Sequence, residues 1–139
     1  MFSAINEGVD LVKPNLDELE NTLGRRISDK EDMLSACYEL LERGAKRVLL
    51  SLGKQGAVIT DGSESYYCKS LNVAVNSTVG AGDGMVAAAA MQLKQGAPLQ
   101  EILRAGVAAG TATVMTVGQV SFTKEKYNEV LTNLHVIRL

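Results

Sequence analysis

The sequence predicts an α/β protein that carries fewer strands than such a fold normally needs, and three observations lead there. Segments of helical periodicity alternate with short apolar runs along the chain. Glycine or a glycine-containing turn marks most of the junctions between them. Only a few of the apolar runs suit a buried parallel strand, whereas a sheet covered by helices on both faces normally has more. The chain is therefore expected to be a single, incomplete domain over residues 1–139.

In chain order, Val9-Asp10-Leu11-Val12 is short and apolar enough for a buried strand, and Lys13-Pro14-Asn15 turns the chain. Residues 16–23 suit a short helix with Gly24 as its C-terminal cap. Ser28-Asp29-Lys30-Glu31 is expected to be a capping box for the next helix, whose apolar positions Met33, Leu34, Cys37, Leu40 and Leu41 run at helical spacing up to Gly44. Residues 47–52 are strand-like, 53–56 turn, and 57–60 resume as a strand. Asp61-Gly62 signals a hairpin into residues 65–69. A further strand-like run at 72–76 leads into the loop Ser77-Thr78-Val79-Gly80-Ala81-Gly82. A helix of small residues is expected from Asp83 onward, closed by Gly96. Pro98 suits the first residue of another helix, in which Leu99, Ile102, Leu103, Gly106 and Val107 share a face. Thr123 caps a last amphipathic helix that carries Tyr127, Val130, Leu131 and Leu134, and His135 is expected in an exposed tail.

Composition narrows the function. With 46% hydrophobic residues the chain can build a real core. Its 14 basic and 16 acidic residues are interspersed for a net charge of −2, which argues against a nucleic-acid footprint. Aromatic residues at 4%, with no Trp, argue against a base-stacking surface. No apolar run is long enough to cross a bilayer, and the N-terminus lacks the basic-then-apolar pattern of a signal peptide, so a cytoplasmic protein without a membrane partner is expected. Cys37 and Cys68 lack metal-ligand spacing and are expected to be reduced thiols in or near the core.

The sharpest chemical feature is the segment from Ser77 to Asp83 between a strand and a helix. Its glycines let backbone N–H groups converge on one small space, and the helix N-terminus adds positive potential, so the loop suits an anion. A loop that only held phosphate would not place a carboxylate, Asp83, beside it. A loop that stabilises a transferring phosphoryl group needs donors for the charge and a base for the incoming hydroxyl. Alternatively, Asp83 is an ordinary N-cap. The dinucleotide fingerprint fails because Met85 stands where a third glycine belongs, and no Gly-Lys-Ser/Thr follows, so there is no P-loop. Asn15 and Glu18 are spaced to hold waters around Mg²⁺, or equally to form a capping box. Lys13 beside them is suited to a phosphate or to solvent. Ser51 to Ala57, with Gly53 and Gly56, allows a ligand close to the backbone or is a plain turn. The small-residue helix at 105–113 serves close packing or leaves a slot for a flat ring.

Taken in order, these motifs resemble the PfkB or ribokinase-like carbohydrate kinases, most closely their bacterial phosphofructokinase and tagatose-6-phosphate kinase branch. Four stretches carry the resemblance, and they occur over about residues 10–116: Lys13-Pro14-Asn15-x-x-Glu18, Ser51-Leu52-Gly53-x-Gln55-Gly56-Ala57, Ser77-Thr78-Val79-Gly80-Ala81-Gly82-Asp83-x-Met85-Val86, and Gly106-Val107-Ala108-Ala109-Gly110. The resemblance implies the C-terminal half of a ribokinase-like three-layer α/β fold that lacks the N-terminal sheet portion, the acceptor-sugar site and the lid. It also implies ATP-dependent phosphorylation of fructose 1-phosphate, fructose 6-phosphate or tagatose 6-phosphate by a full-length, homodimeric parent, the isolated chain being inactive. Two alternatives stay open: another acceptor such as ribose or a nucleoside, and a non-catalytic nucleotide-binding or interaction module.

By the same resemblance, Asp83 is the catalytic base and Gly80, Ala81 and Gly82 form the anion hole. Lys13 and Asn15 lie near the nucleotide phosphates, and Asn15 and Glu18 organise waters on Mg²⁺. Ser51, Gly53 and Gly56 border the nucleotide, with Val107 and Thr111 at its adenine end. Some relatives hold a monovalent cation such as K⁺ near positions matching Ser77, Val79 and Gly118, although residues 117–120 depart from the expected pattern. Gly84 also departs, since these kinases usually have Ser or Ala after the base.

Overall fold

The structure, a computed structural model, describes residues 10–71, 81–115 and 123–139, with residues 81–83 described by their backbone. The expected strand at 72–76, the loop residues Ser77, Val79 and Gly80, and Gly118 lie outside the described residues. The elements are α1 (Leu16–Leu23), α2 (Lys30–Glu42), β1 (Val48–Ser51), β2 (Ala57–Thr60), β3 (Ser65–Cys68), α3 (Ala81–Lys94), α4 (Leu99–Met115), α5 (Lys124–Asn133) and β4 (Val136–Arg138).

The strands form one sheet in the order β1-β2-β3-β4. All three pairings are antiparallel, with Leu50 opposite Val58, Val58 opposite Tyr67, and Tyr67 opposite Ile137. The hairpin expected at Asp61-Gly62 is thus formed between β2 and β3, while the runs read as candidates for buried parallel strands at β1 and β2 pair antiparallel. The turns joining β1 to β2 and β2 to β3 are too tight for the crossover that parallel strands require. A parallel component survives at the outer edge of β1. There the extended segment before α1 is bridged through Val12 to Val48 and Asn15 to Ser51, with Leu49 N–H donating to the Val12 carbonyl at 2.8 Å.

Alternation along the strands sends side chains into two cores. Val48, Leu50 and Val58 join Leu19, Ala36, Cys37 and Leu40 beneath α1 and α2. Leu49, Ala57, Ile59, Tyr66 and Cys68 join Ala89, Leu103, Val107, Ala108 and Val130 beneath α3, α4 and α5. The result is the three-layer arrangement, helices on both faces of a sheet. Cys37 and Cys68 are both free and buried. Burial pushes the Cys37 thiol up to about 12 and that of Cys68 up to about 11, so neither is a nucleophile near neutral pH.

The helix ends follow local chemistry, with shifts of a residue or two. Gly24 closes α1 at φ 69°, and Thr123 caps α5 by accepting from Lys126 N–H. The cap of α2 is Asp29, which accepts from Asp32 N–H, while Asp32 accepts from the Ser28 hydroxyl at 2.8 Å. The cap expected at Ser28 is therefore moved on by one, and the Asp32 carboxylate accepts from the Ser28 N–H and hydroxyl rather than closing a reciprocal box with Asp29. Pro98 precedes α4 rather than opening it, its carbonyl accepting from Glu101 and Ile102 N–H at 3.0 and 3.1 Å. β4, in what was expected to be a tail, is held by Leu139 N–H donating to the Ser65 carbonyl at 2.9 Å and by its pairing with β3.

Candidate active site

Two of the sequence motifs meet where the segment before α1 runs beside the end of β1. Asn15 bridges to Ser51, and the Pro14 carbonyl accepts from Ser51 N–H at 2.9 Å and from its hydroxyl at 3.3 Å. Asn15 also forms a complete capping box with Glu18. Glu18 N–H donates to Asn15 Oδ1 at 2.8 Å, and Asn15 N–H donates to Glu18 Oε1 at 2.9 Å. The capping alternative for this pair is thus formed. The box uses one acceptor oxygen of each residue, and Glu18 Oε2 takes no hydrogen bond among the described residues. That leaves a carboxylate oxygen suited to metal-bound water, which is how Mg²⁺ commonly meets protein.

Beyond Ser51 the chain makes a 3₁₀ turn at Gly53–Gln55. Gly53 has φ 61° and open space around it, so glycine serves the backbone conformation there. The turn is pinned by Leu52 N–H donating to the Gly56 carbonyl at 2.8 Å and by the Tyr67 hydroxyl donating to the Gln55 carbonyl at 2.5 Å. Asn15, Ser51 and Gly53 share the lining of an open cleft of about 470 Å³, together with Asp17, Ser28 and Gln55, above apolar Leu16, Ile27, Met33 and Leu52. Lys13 is half-buried immediately before Pro14.

Gly56 faces the other way. It has φ 102°, and a Cβ there would lie 1.9 Å from the Cys68 carbonyl oxygen and 2.8 Å from Ser70 N. Here the backbone of the turn rests directly on the strand end, so only glycine fits. The Ser70 hydroxyl lies 3.1 Å from that of Thr111, which is buried on α4. Gly56 and Thr111, far apart in sequence, thus flank Ser70. Sequence reasoning missed Ser70 because it belongs to no motif; only the packing of α4 on β3 brings it in. Val107, one turn earlier on α4, has its side chain in the core.

α3 begins at Ala81, so Ala81 and Gly82 are helical rather than loop residues. Asp83 lies within the first turn, not at the cap. The first N–H groups of a helix have no intrahelical partner. Those of Ala81, Gly82 and Asp83 are therefore the donors that an anion at this helix end would meet. The Asp83 side chain lies outside the described residues. The start of α3 rests on the same half of α4 as Thr111, since a Cβ on Gly84 would lie 3.0 Å from Thr113 Oγ1 and 3.7 Å from the Ala109 carbonyl oxygen. Close helix packing is thus one use of the small residues at 105–113.

The profile of the pfkB family of carbohydrate kinases matches residues 1–126. The chain belongs to that family. Its relatives in that family include phosphofructokinases. Over 111 residues it is 41% identical to ATP-dependent 6-phosphofructokinase isozyme 2 of Escherichia coli (strain K12), covering 79% of this chain and 36% of the relative. Over 76 residues it is 45% identical to 1-phosphofructokinase of the same organism, covering 55% of this chain and 24% of the relative. The crystal structure of phosphofructokinase-2 from Escherichia coli in complex with substrates and products superposes with a TM-score of 0.87 at 35% identity, covering 94% of this chain and 43% of that one. The chain thus spans well under half the length of these pfkB relatives. Among the described residues no helix is long and apolar enough to cross a membrane.

Proposed function

We propose that this chain is the nucleotide-binding portion of an ATP-dependent sugar-phosphate kinase acting in the cytoplasm. Its acceptor is fructose 1-phosphate, fructose 6-phosphate or tagatose 6-phosphate. The observation that carries the reading is the meeting of the Asn15 and Ser51 motifs across one backbone bridge, in a chain with 41% identity to a 6-phosphofructokinase. In this reading Lys13 and Asn15 face the nucleotide phosphates, while Ser51, Gly53 and Gly56 border the nucleotide. Thr111 stands at its adenine end, whereas Val107, also expected there, is buried in the core and supports α4 instead. Asn15 and Glu18 would hold Mg²⁺ through water, and the ion would neutralise phosphate charge. A K⁺ near Ser77, Val79 and Gly118, and a homodimeric parent, belong to the same proposal. Two kinship observations, to 6-phospho and 1-phospho enzymes alike, keep more than one acceptor in the reading.

Within the reaction, the N–H groups of Gly80, Ala81 and Gly82 stabilise charge on the moving phosphoryl group. Asp83 accepts the proton of the attacking hydroxyl, which is a poor nucleophile until that proton begins to leave. The test is steady-state kinetics on the full-length protein carrying this segment, with each of the three sugar phosphates, beside the Asp83→Asn variant. We expect transfer to at least one acceptor and a fall in kcat of about 10²–10⁴-fold in the variant, with ATP affinity by calorimetry held or improved. Near-normal kcat in Asp83→Asn would remove it from the mechanism. No transfer to any sugar phosphate would leave the nucleotide-binding module.

A further inference from the structure

Gly84 and Thr113 are in contact across the interface between α3 and α4 in a way that bears on the start of α3. The Thr113 hydroxyl is turned along its own helix and donates to the Ala109 carbonyl at 2.7 Å. An alanine Cβ at Gly84 would stand 3.0 Å from that hydroxyl oxygen, tighter than ordinary van der Waals contact. A second contact follows one residue on. A Cβ at Gly106 would lie 3.1 Å from Met85 Cγ and 3.6 Å from Leu49 Cδ2, so α3, α4 and β1 are seated together there. Residues 84 and 85 of α3 are therefore held against α4 at two heights, directly after the turn formed by Ala81, Gly82 and Asp83.

We infer that Gly84 and Thr113 are a matched pair of positioning residues, whose contact sets how deeply the start of α3 sits on α4. It thereby sets where Asp83 and the first N–H groups of the helix lie. The lever is short, since Asp83 adjoins the contact. The pair also links that helix start to Thr111, two residues before Thr113 on α4. Glycine where the family resemblance leads one to expect Ser or Ala then has a physical cause: the Thr113 hydroxyl stands a few tenths of an ångström too close for a Cβ. The catalytic consequence rests on the kinase reading above; the packing does not.

The experiment is a double-mutant cycle in the full-length protein, read by denaturation midpoint and by kcat and KM for ATP. In an unobstructed helix, Gly→Ala stabilises, because alanine has the higher helix propensity. We expect the opposite here. Gly84→Ala alone should lower the midpoint and reduce kcat about tenfold by displacing the reacting groups, with KM for ATP changed less than about threefold. In a Thr113→Ala background the same substitution should raise the midpoint and leave kcat within about threefold of the unsubstituted protein. If Gly84→Ala does not fold, restoration of folding by Thr113→Ala supports the pair and its failure overturns it. Equal effects of Gly84→Ala in both backgrounds overturn the pair. Coupling in the midpoint with unchanged kcat overturns the positioning role. Absence of phosphoryl transfer in the unsubstituted protein sinks the kinase reading and the positioning role together, while the midpoint cycle still judges the contact.

Discussion

The two faces of the sheet are organised by different physics. Under α1 and α2 the contacts are made by large aliphatic side chains such as Leu19, Leu40 and Leu50. The helix ends are tied by nearby side chains, Asn15 with Glu18 and Asp29 with Asp32. Under α3 and α4 the helices approach nearly backbone to backbone, and added atoms at Gly84 or Gly106 would meet the neighbouring helix. The first face is set mostly by residues close in sequence, and it tolerates adjustment because side chains can relax. The second depends on atoms far apart in sequence and has little slack. The candidate site lies where both faces reach the end of β1, with the Asn15–Glu18 pair on the tolerant side and the start of α3 on the strict one.

The largest expected effect on this contrast comes from paired glycine substitutions. Gly56→Ala should destabilise by roughly 3 kcal/mol or more, since it combines a left-handed backbone with an overlap that cannot relax. Gly24→Ala meets a milder backbone demand, the αL well at φ 69° and ψ 28° against φ 102° and ψ −136° at Gly56, finds nothing within 4 Å, and should cost only about 1 kcal/mol. Urea unfolding of both variants measures the gap, and similar costs would mean that the overlap of the turn with the end of β3 relaxes.

Glu18→Gln is a smaller perturbation that sharpens the tolerant side. Glutamine can still close a capping box, so stability should change by less than about 1 kcal/mol. If Glu18 organises metal-bound water, the free Mg²⁺ needed for half-maximal activity should nonetheless rise. A titration showing an unchanged Mg²⁺ requirement would leave Glu18 as a cap alone.

The last effect, absent at neutral pH, is the alkaline dependence contributed by one cysteine on each face. Both thiols are raised by burial above the ordinary 9.0, Cys37 to about 12 and Cys68 to about 11. Above pH 9 the unfolded chain loses these protons while the folded chain keeps them, so folding stability falls as pH rises from 9 towards those values. Below pH 9 the two contribute no slope. Stability measured at a series of pH values should lose part of its alkaline decline in Cys37→Ala, and a smaller part in Cys68→Ala.

How much of this was legible in the sequence depended on the range of the interactions. The ends of α1 and α5 were readable because Asn15, Gly24 and Thr123 act within a turn of themselves. The hairpin at Asp61-Gly62 was readable for the same reason. The antiparallel pairing of β1 with β2 was not drawn from the apolar runs, because hydrophobicity alone says nothing of direction. The three-residue strand β4 was invisible, since its residues become a strand only by pairing with β3.

By itself the sequence determined the α/β class and the motif order, and it named the residues proposed for phosphate and metal chemistry, because each of these rests on local spacing and side-chain type. The tertiary structure alone decided that Asn15 stands beside Ser51, that Gly56 admits no side chain, that Ser70 joins Thr111, and that Gly84 answers Thr113. Each of those four is a contact between segments that nothing local connects. Their geometry follows from how the sheet twists two helical layers onto its faces, where close packing leaves one arrangement of backbone and hydroxyl that fits.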